Sequence, residues 1–176
     1  MPIFGDPATF AVEYEPVGPQ GVLFAECHFT YWIGGQAVGN PELRATSCDL
    51  ANSLHGILSC RHQRRDDQLF ALSSADLIET LEAGLLGKDE EMEALAAEAM
   101  WAAHNITYAM DHGYRPEFVA EWGAYLVENE FEARLVYRRA SAPAEIFEQR
   151  VPSGRFDEVL LPVWERLNHD SAPPTP

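Results

Sequence analysis

Cys60, His62, Asp66 and Asp67 fall close together in the chain, and a thiol, an imidazole and carboxylates are the donors that zinc and related metals take. A closed zinc site needs four well-spaced ligands, and no second Cys-x2-Cys or His-x3-His pair completes this one. A charged surface loop following a helix accounts for the segment more simply. His104 and His112 flank a turn. Imidazoles gather at helix ends because the dipole favours them there, so neither is assigned as a ligand.

Nucleophilic catalysis needs a thiol or hydroxyl beside a base. Cys27 and His28 are neighbours within a strand pattern, so their side chains point to opposite faces and cannot form a dyad. Cys48 falls in the first turn of a helix, where a thiol pKa is lowered, but no base accompanies it. The carboxylate pairs Glu13/Glu15 and Glu130/Glu132 have the spacing of solvated strand edges. Gly34, Gly35 and Gly39 form the main glycine cluster. It follows a strand and no helix opens after it, so it lacks the form of a phosphate cradle. No catalytic residue, metal ligand or cofactor site is assigned, and the chain is predicted not to be an enzyme.

The remaining candidates are acidic. Asp76, Glu79, Glu82, Asp89, Glu90, Glu91, Glu93 and Glu98 stand against one lysine, and Glu117, Glu121, Glu128, Glu130 and Glu132 follow. Glu82, Asp89, Glu90, Glu91, Glu93, Glu117 and Glu121 are singled out as a partner-binding set able to cover a cationic site on another protein. The alternative is two solvated helix faces and a strand edge. Across 176 residues, 28 acids against 12 bases give a net charge of −16. That argues against a nucleic-acid-binding surface, which would need a basic face, and against anionic membrane surfaces, so neither nucleic acid nor membrane is expected as a partner. The three cysteines are unpatterned, no apolar run is long enough for a membrane span, and no secretion signal is visible. A cytoplasmic protein is expected.

These residues must be positioned by a mixed set of elements. Phe10, Val12 and Tyr14 alternate with Glu13 and Glu15 as a half-buried strand. Cys27, Phe29, Tyr31 and Ile33 line one face of a long strand over 21–33, and Gly34-Gly35 turn it back into Gln36-Ala37-Val38. Thr46 or Ser47 caps a helix bearing Leu50, Leu54, Ile57 and Leu58. Leu69 to Leu72 is a short strand or an apolar linker. Ser73 or Ser74 caps a second helix with Leu77, Ile78, Leu81 and Leu85 inside, ending near Gly84 and Gly87. A third helix is predicted over 89–104, with irregular chain from 105 to 117. A meander follows: Trp122 to Val127, a turn at Glu128-Asn129-Glu130, a strand with Phe131, Ala133, Leu135 and Tyr137 inward, then Glu145 to Val151. Ser153 caps a last helix carrying Phe156, Val159, Leu160, Val163, Trp164 and Leu167, which Pro162 kinks or divides. Segregated strands and helices predict an α+β fold. The expectation is a single domain over 1–170, an antiparallel sheet of N-terminal hairpin strands plus a C-terminal meander packed by about four helices, and a flexible tail at 171–176.

Three segments resemble a known family. Phe4-Gly5-Asp6-Pro7 precedes Phe10-Ala11-Val12-Glu13. Phe29-Thr30-Tyr31-Trp32-Ile33-Gly34-Gly35 is an aromatic strand ending in a glycine turn, with Val38-Gly39 after it. Val151-Pro152-Ser153-Gly154-Arg155-Phe156-Asp157-Glu158-Val159 leads into the last helix. In order and spacing they resemble the forty-second immunity protein family of bacterial polymorphic toxin systems. The likeness runs from residue 4 to 159 and skips 61–114. It implies a protein that binds and neutralises a cognate toxin domain from the same or a neighbouring cell. It identifies neither the toxin nor the contact residues. Two other readings remain: a small protein-binding or regulatory module using the Trp32 face of the sheet, and an unrecognised metal-dependent enzyme.

Overall fold

The pairing of Phe10 with Ile33, Val12 with Tyr31 and Tyr14 with Phe29 sets the register of the first sheet. It places these apolar side chains together on one face of strands β2 (Phe10–Val17) and β3 (Glu26–Ile33). The computed structural model describes residues 2–17, 25–39, 44–86, 103–107 and 121–171. Residues 21–24 of the expected long strand, nearly all of the expected 89–104 helix, most of the irregular 105–117 segment and the 172–176 tail lie outside them.

Strand β1 (Ile3–Asp6), absent from the sequence reading, precedes β2 and pairs antiparallel with it. Gly34 and Gly35, at φ +59° and +83°, form the tight turn into β4 (Gln36–Val38). A two-residue strand β5 (Ala45–Thr46) pairs with the start of β3 and leads into helix α1 (Ser47–Ser59). Thr46 caps that helix: its hydroxyl oxygen accepts the Asp49 N–H at 3.3 Å.

The second sheet is the meander of β6 (Trp122–Glu128), β7 (Glu132–Arg139) and β8 (Ala142–Pro152). The α+β class therefore holds, with the antiparallel strands divided between two sheets. Trp122, Ala124, Leu126, Leu135 and Tyr137 turn one face of the meander into the main core beside the first sheet. The Tyr137 hydroxyl donates to the Ile33 carbonyl at 3.0 Å and ties the two sheets together. The last helix, α4 (Arg155–Ser171), buries Phe156, Val159, Leu160, Val163 and Leu167 against β2 and α1. Phe10 and Phe156 stack at 4.9 Å between centroids. Helix α4 runs unbroken through Pro162. The proline has no N–H for the Glu158 carbonyl, and both residues are exposed.

The other meander face carries Tyr125, Val127 and Val136, covered by Leu69 of α2 (Asp67–Ala71) and by Leu77, Ile78 and Leu81 of α3 (Ser74–Leu86). Leu69 to Ala71 is thus helical, neither strand nor linker. Asp66 starts that helix by accepting the N–H groups of Gln68 and Leu69 at 2.8 and 2.9 Å. Ser73 caps α3, which runs past Gly84 to Leu86. Phe131, expected inside, is 73% exposed. The turn occupies Asn129-Glu130-Phe131, with the Asn129 side-chain oxygen accepting the N–H groups of Phe131 and Glu132, so β7 begins one residue later.

Candidate functional site

The acidic set divides when the chain folds. Asp89, Glu90, Glu91, Glu93 and Glu117 lie outside the described residues. Glu121 is exposed just before β6, where its carbonyl accepts the Ala140 N–H at 2.8 Å. On α3, Asp76 and Glu79 are exposed, and Asp76 takes a hydrogen bond from the Ser73 hydroxyl at 2.6 Å. Glu82, one turn further, is engaged within the chain. Arg138 donates to both its oxygens at 2.8 and 2.6 Å, and the Tyr125 hydroxyl adds a third bond at 2.7 Å. Glu82 therefore fastens α3 to the meander.

Glu128, grouped in the sequence with the surface acids, is buried. Its backbone N–H meets the Arg64 carbonyl at 2.8 Å, and its own carbonyl accepts the Asp66 N–H at 3.0 Å. That exchange draws the loop after α1 against β6. It also explains why Arg64, in a segment read as a charged surface loop, is fully buried. The guanidinium reaches Asp157 at 2.5 Å and lies over the Phe156 ring at 5.2 Å. Burial pushes the Glu128 carboxyl up from its ordinary range. The Arg64 charge, the Gly154 N–H and the Ser153 hydroxyl pull against that rise, and Asp157 adds to it.

Arg134 forms a second internal anchor that the sequence reading missed. It lies on the meander face covered by α2 and α3. Nε and Nη2 hold Glu148, Nη1 donates to the carbonyls of Phe70 and Leu72, and Nη2 also reaches the Ser74 hydroxyl. All five donors of the guanidinium are used, and a cation stands at the C-terminal end of α2. Arg134 and Arg150 both approach the Phe70 ring, at 5.5 and 5.6 Å. The alternation of β7 places Arg134 on the outward face with Glu132, Val136 and Arg138, so nothing in the sequence signals its burial under α2 and α3.

The chemical candidates do not converge. Cys27 is buried, with its thiol directed to the Ala45 carbonyl at 3.5 Å. Burial pushes that thiol up to about 12, with Ser47 pulling against the rise and Glu26 adding to it. Cys48 meets the Asn52 side chain at 3.8 Å. His62 is exposed, His104 is buried, and the Asp66 carboxylate is used in capping α2. Among the described residues no three His, Cys, Asp or Glu side chains are grouped to hold a metal. Among the described residues the Trp32 face forms no broad apolar patch, and Val22 and Phe24, which the alternation assigns to it, lie outside them. Trp32 is half-buried and donates from Nε1 to Glu13 at 3.0 Å, beside a Thr30 that is 2% exposed. The large apolar side chains exposed among the described residues are Ile3, Phe131 and Leu161. No helix among them is long and apolar enough to cross a membrane.

A family model described as Immunity protein 42 matches residues 1–165. Among solved structures, the crystal structure of CdiI from Burkholderia dolosa AUO158 is similar, with a TM-score of 0.66 and 23% sequence identity. The likeness covers 93% of this chain and 99% of that one. At that identity it establishes the fold and nothing finer. No curated protein matches.

Proposed function

Because the chain belongs to the Immunity protein 42 family, we propose that it is a non-enzymatic immunity protein that binds a cognate bacterial toxin domain and neutralises it. The observation that carries this reading is the family match across nearly the whole chain. Neutralisation by binding asks for a surface, a rigid frame behind it and no bond-breaking machinery. The Arg134 and Arg64 anchors supply rigidity by fixing α2, α3 and α4 to the meander.

The net charge of −16 suits a basic toxin, because opposite fields speed and orient encounter. Glu121, with Asp76 and Glu79 of α3, offers exposed carboxylates for such a partner. Asp89, Glu90, Glu91, Glu93 and Glu117 are proposed to extend that surface. Glu82 already serves Arg138, so its share in binding is smaller. In this reading residues 1–170 act as one domain, in the cytoplasm.

Co-expression with the toxin domain encoded beside this chain tests the proposal, together with calorimetric titration of the two purified proteins. The expected result is restored growth and a tight equimolar complex. A toxin that kills equally well with the chain present, and shows no heat of binding, overturns it.

A further inference from the structure

Between the C-terminal half of α1, the short 3-10 turn after it (Arg61–Gln63) and the middle of α4 lies a groove of about 450 Å³. Leu58, Leu161 and Trp164 are its apolar lining, and His55, Ser59, Arg61 and His62 its polar lining. The helical repeat explains the grouping. His55, Leu58 and Ser59 recur at i, i+3 and i+4 along α1, and Leu161 and Trp164 at i and i+3 along α4, so both stripes face the same cleft. His55 stacks on the Trp164 indole at 5.7 Å between centroids and fixes that wall. Leu161 is 45% exposed at the opening.

The charge at this groove runs against that of the molecule. Arg44, Arg64, Arg134, Arg138, Arg150, Arg155 and Arg166 each pair with a carboxylate. Arg61, like Arg65 and Arg139, makes no ion pair among the described residues, although acids outnumber bases 28 to 12 in the chain, and of these three it is the one that lines the groove. An unpaired guanidinium close to an indole brings together two of the residue types, Arg and Trp, that dominate binding energy at protein interfaces. A phosphate backbone would have to approach a chain of net charge −16, which disfavours nucleic acid. A single carboxylate on an otherwise basic protein meets no such barrier.

We infer that this groove is where the toxin domain is anchored: an apolar side chain of the toxin seats on Leu58, Leu161 and Trp164, and a neighbouring carboxylate pairs with Arg61 between His55 and His62. The inference rests on the immunity reading and gives it a location. The overall negative field brings a basic partner in, and the groove sets its register.

Arg61→Glu and Leu161→Glu test the location by titration against the toxin domain encoded beside this chain, with Glu79→Arg on α3 as comparison. Arg61 and Leu161 are exposed, so unchanged melting temperatures are expected and are measured alongside. Each groove variant is expected to weaken the complex tenfold or more, Leu161→Met to bind within about twofold of wild type, and Glu79→Arg to lose less than either groove variant. If the wild-type chain binds and both groove variants bind as tightly, the groove is not the anchor and the immunity reading survives. If Glu79→Arg is the variant that loses affinity, the contact lies on α3 and the inference is overturned. If the wild-type chain does not bind, the immunity reading fails and this inference fails with it.

Discussion

Arg134 and Glu148 meet diagonally across β7 and β8 through two parallel hydrogen bonds, Nε to Oε1 at 3.2 Å and Nη2 to Oε2 at 2.8 Å. The remaining donors of the guanidinium reach off the sheet, two from Nη1 to the carbonyls of Phe70 and Leu72, where α2 ends, and one from Nη2 to the Ser74 hydroxyl at the start of α3. One side chain thus holds a sheet, a helix terminus and a connection together. Arg134→Met leaves Glu148 with fewer partners and two carbonyls without their donor. Urea denaturation is expected to give a loss of about 1–3 kcal/mol, the cost of leaving buried acceptors without a donor, because Glu148 is partly exposed and keeps Arg150 and Ser74. Arg134→Lys keeps the charge but not the planar fork, so it should recover only part of that loss.

Glu148 gives the same contact a pH signature. Desolvation alone would raise its carboxyl, but hydrogen bonds from Arg134, Ser74 and Arg150 outweigh it and hold the group at about 2. An unfolded glutamate titrates near 4.3. The folded pKa is the lower one, so the stabilisation is complete above about 4.3 and is lost as pH falls through the window down to about 2. Unfolding free energies of wild type and Glu148→Gln should therefore differ by a constant amount at neutral pH and converge below pH 4. A gap that stays level down to pH 2.5 would contradict the assignment.

Glu128 behaves in the opposite sense. Its carboxyl is raised by burial, against the pull of the Arg64 charge. A raised carboxylate favours the folded state while protonated and loses that advantage as pH rises through the folded pKa. Glu128→Gln removes the ionisable group but keeps an oxygen for the Ser153 hydroxyl and the Gly154 N–H. Its melting temperature should equal or exceed wild type at pH 7, with the difference shrinking as pH is lowered toward 4. A Glu128→Gln protein several degrees less stable at pH 7 would mean that the Arg64 charge outweighs the desolvation.

The strands and the helix faces were legible because their signals are local. Phe10, Val12 and Tyr14, or Cys27, Phe29, Tyr31 and Ile33, declare a buried face by alternation alone, and all of them are buried. Thr46 announces a helix through its hydroxyl. What stayed hidden depends on partners far away in sequence. Arg64 reads as one charge in a polar run until the backbone exchange with Glu128 carries it inside. Leu69 and Phe70 have too few residues for a helical period, and the helix start comes from Asp66. The α1–α4 groove joins residues about a hundred positions apart, and neither stripe announces the other. The family resemblance, carried by three segments of scaffold, was accurate about kinship because scaffold is what such segments record.

Gly5 and Gly35 both have positive φ, +96° and +83°, but for different physical reasons. A Cβ at Gly35 would meet nothing within 4 Å, so only the backbone conformation resists substitution. A Cβ at Gly5 would lie 2.5 Å from the Phe10 carbonyl oxygen and 3.0 Å from the Val159 side chain. Gly5 is where β1 runs close over β2 beneath α4, and backbone on one side leaves nowhere to yield. Gly35→Ala should lose about 1 kcal/mol, the penalty for a left-handed alanine, and Gly35→Asn less than that. Gly5→Ala adds a steric clash to the same penalty and is expected to lose about 3 kcal/mol, at the upper end for backbone strain. Thermal or urea unfolding of the three variants separates the two effects. Equal losses at Gly5 and Gly35 would mean that β1 can shift away from β2, and that the close approach of Gly5 to the Phe10 carbonyl does not fix its place.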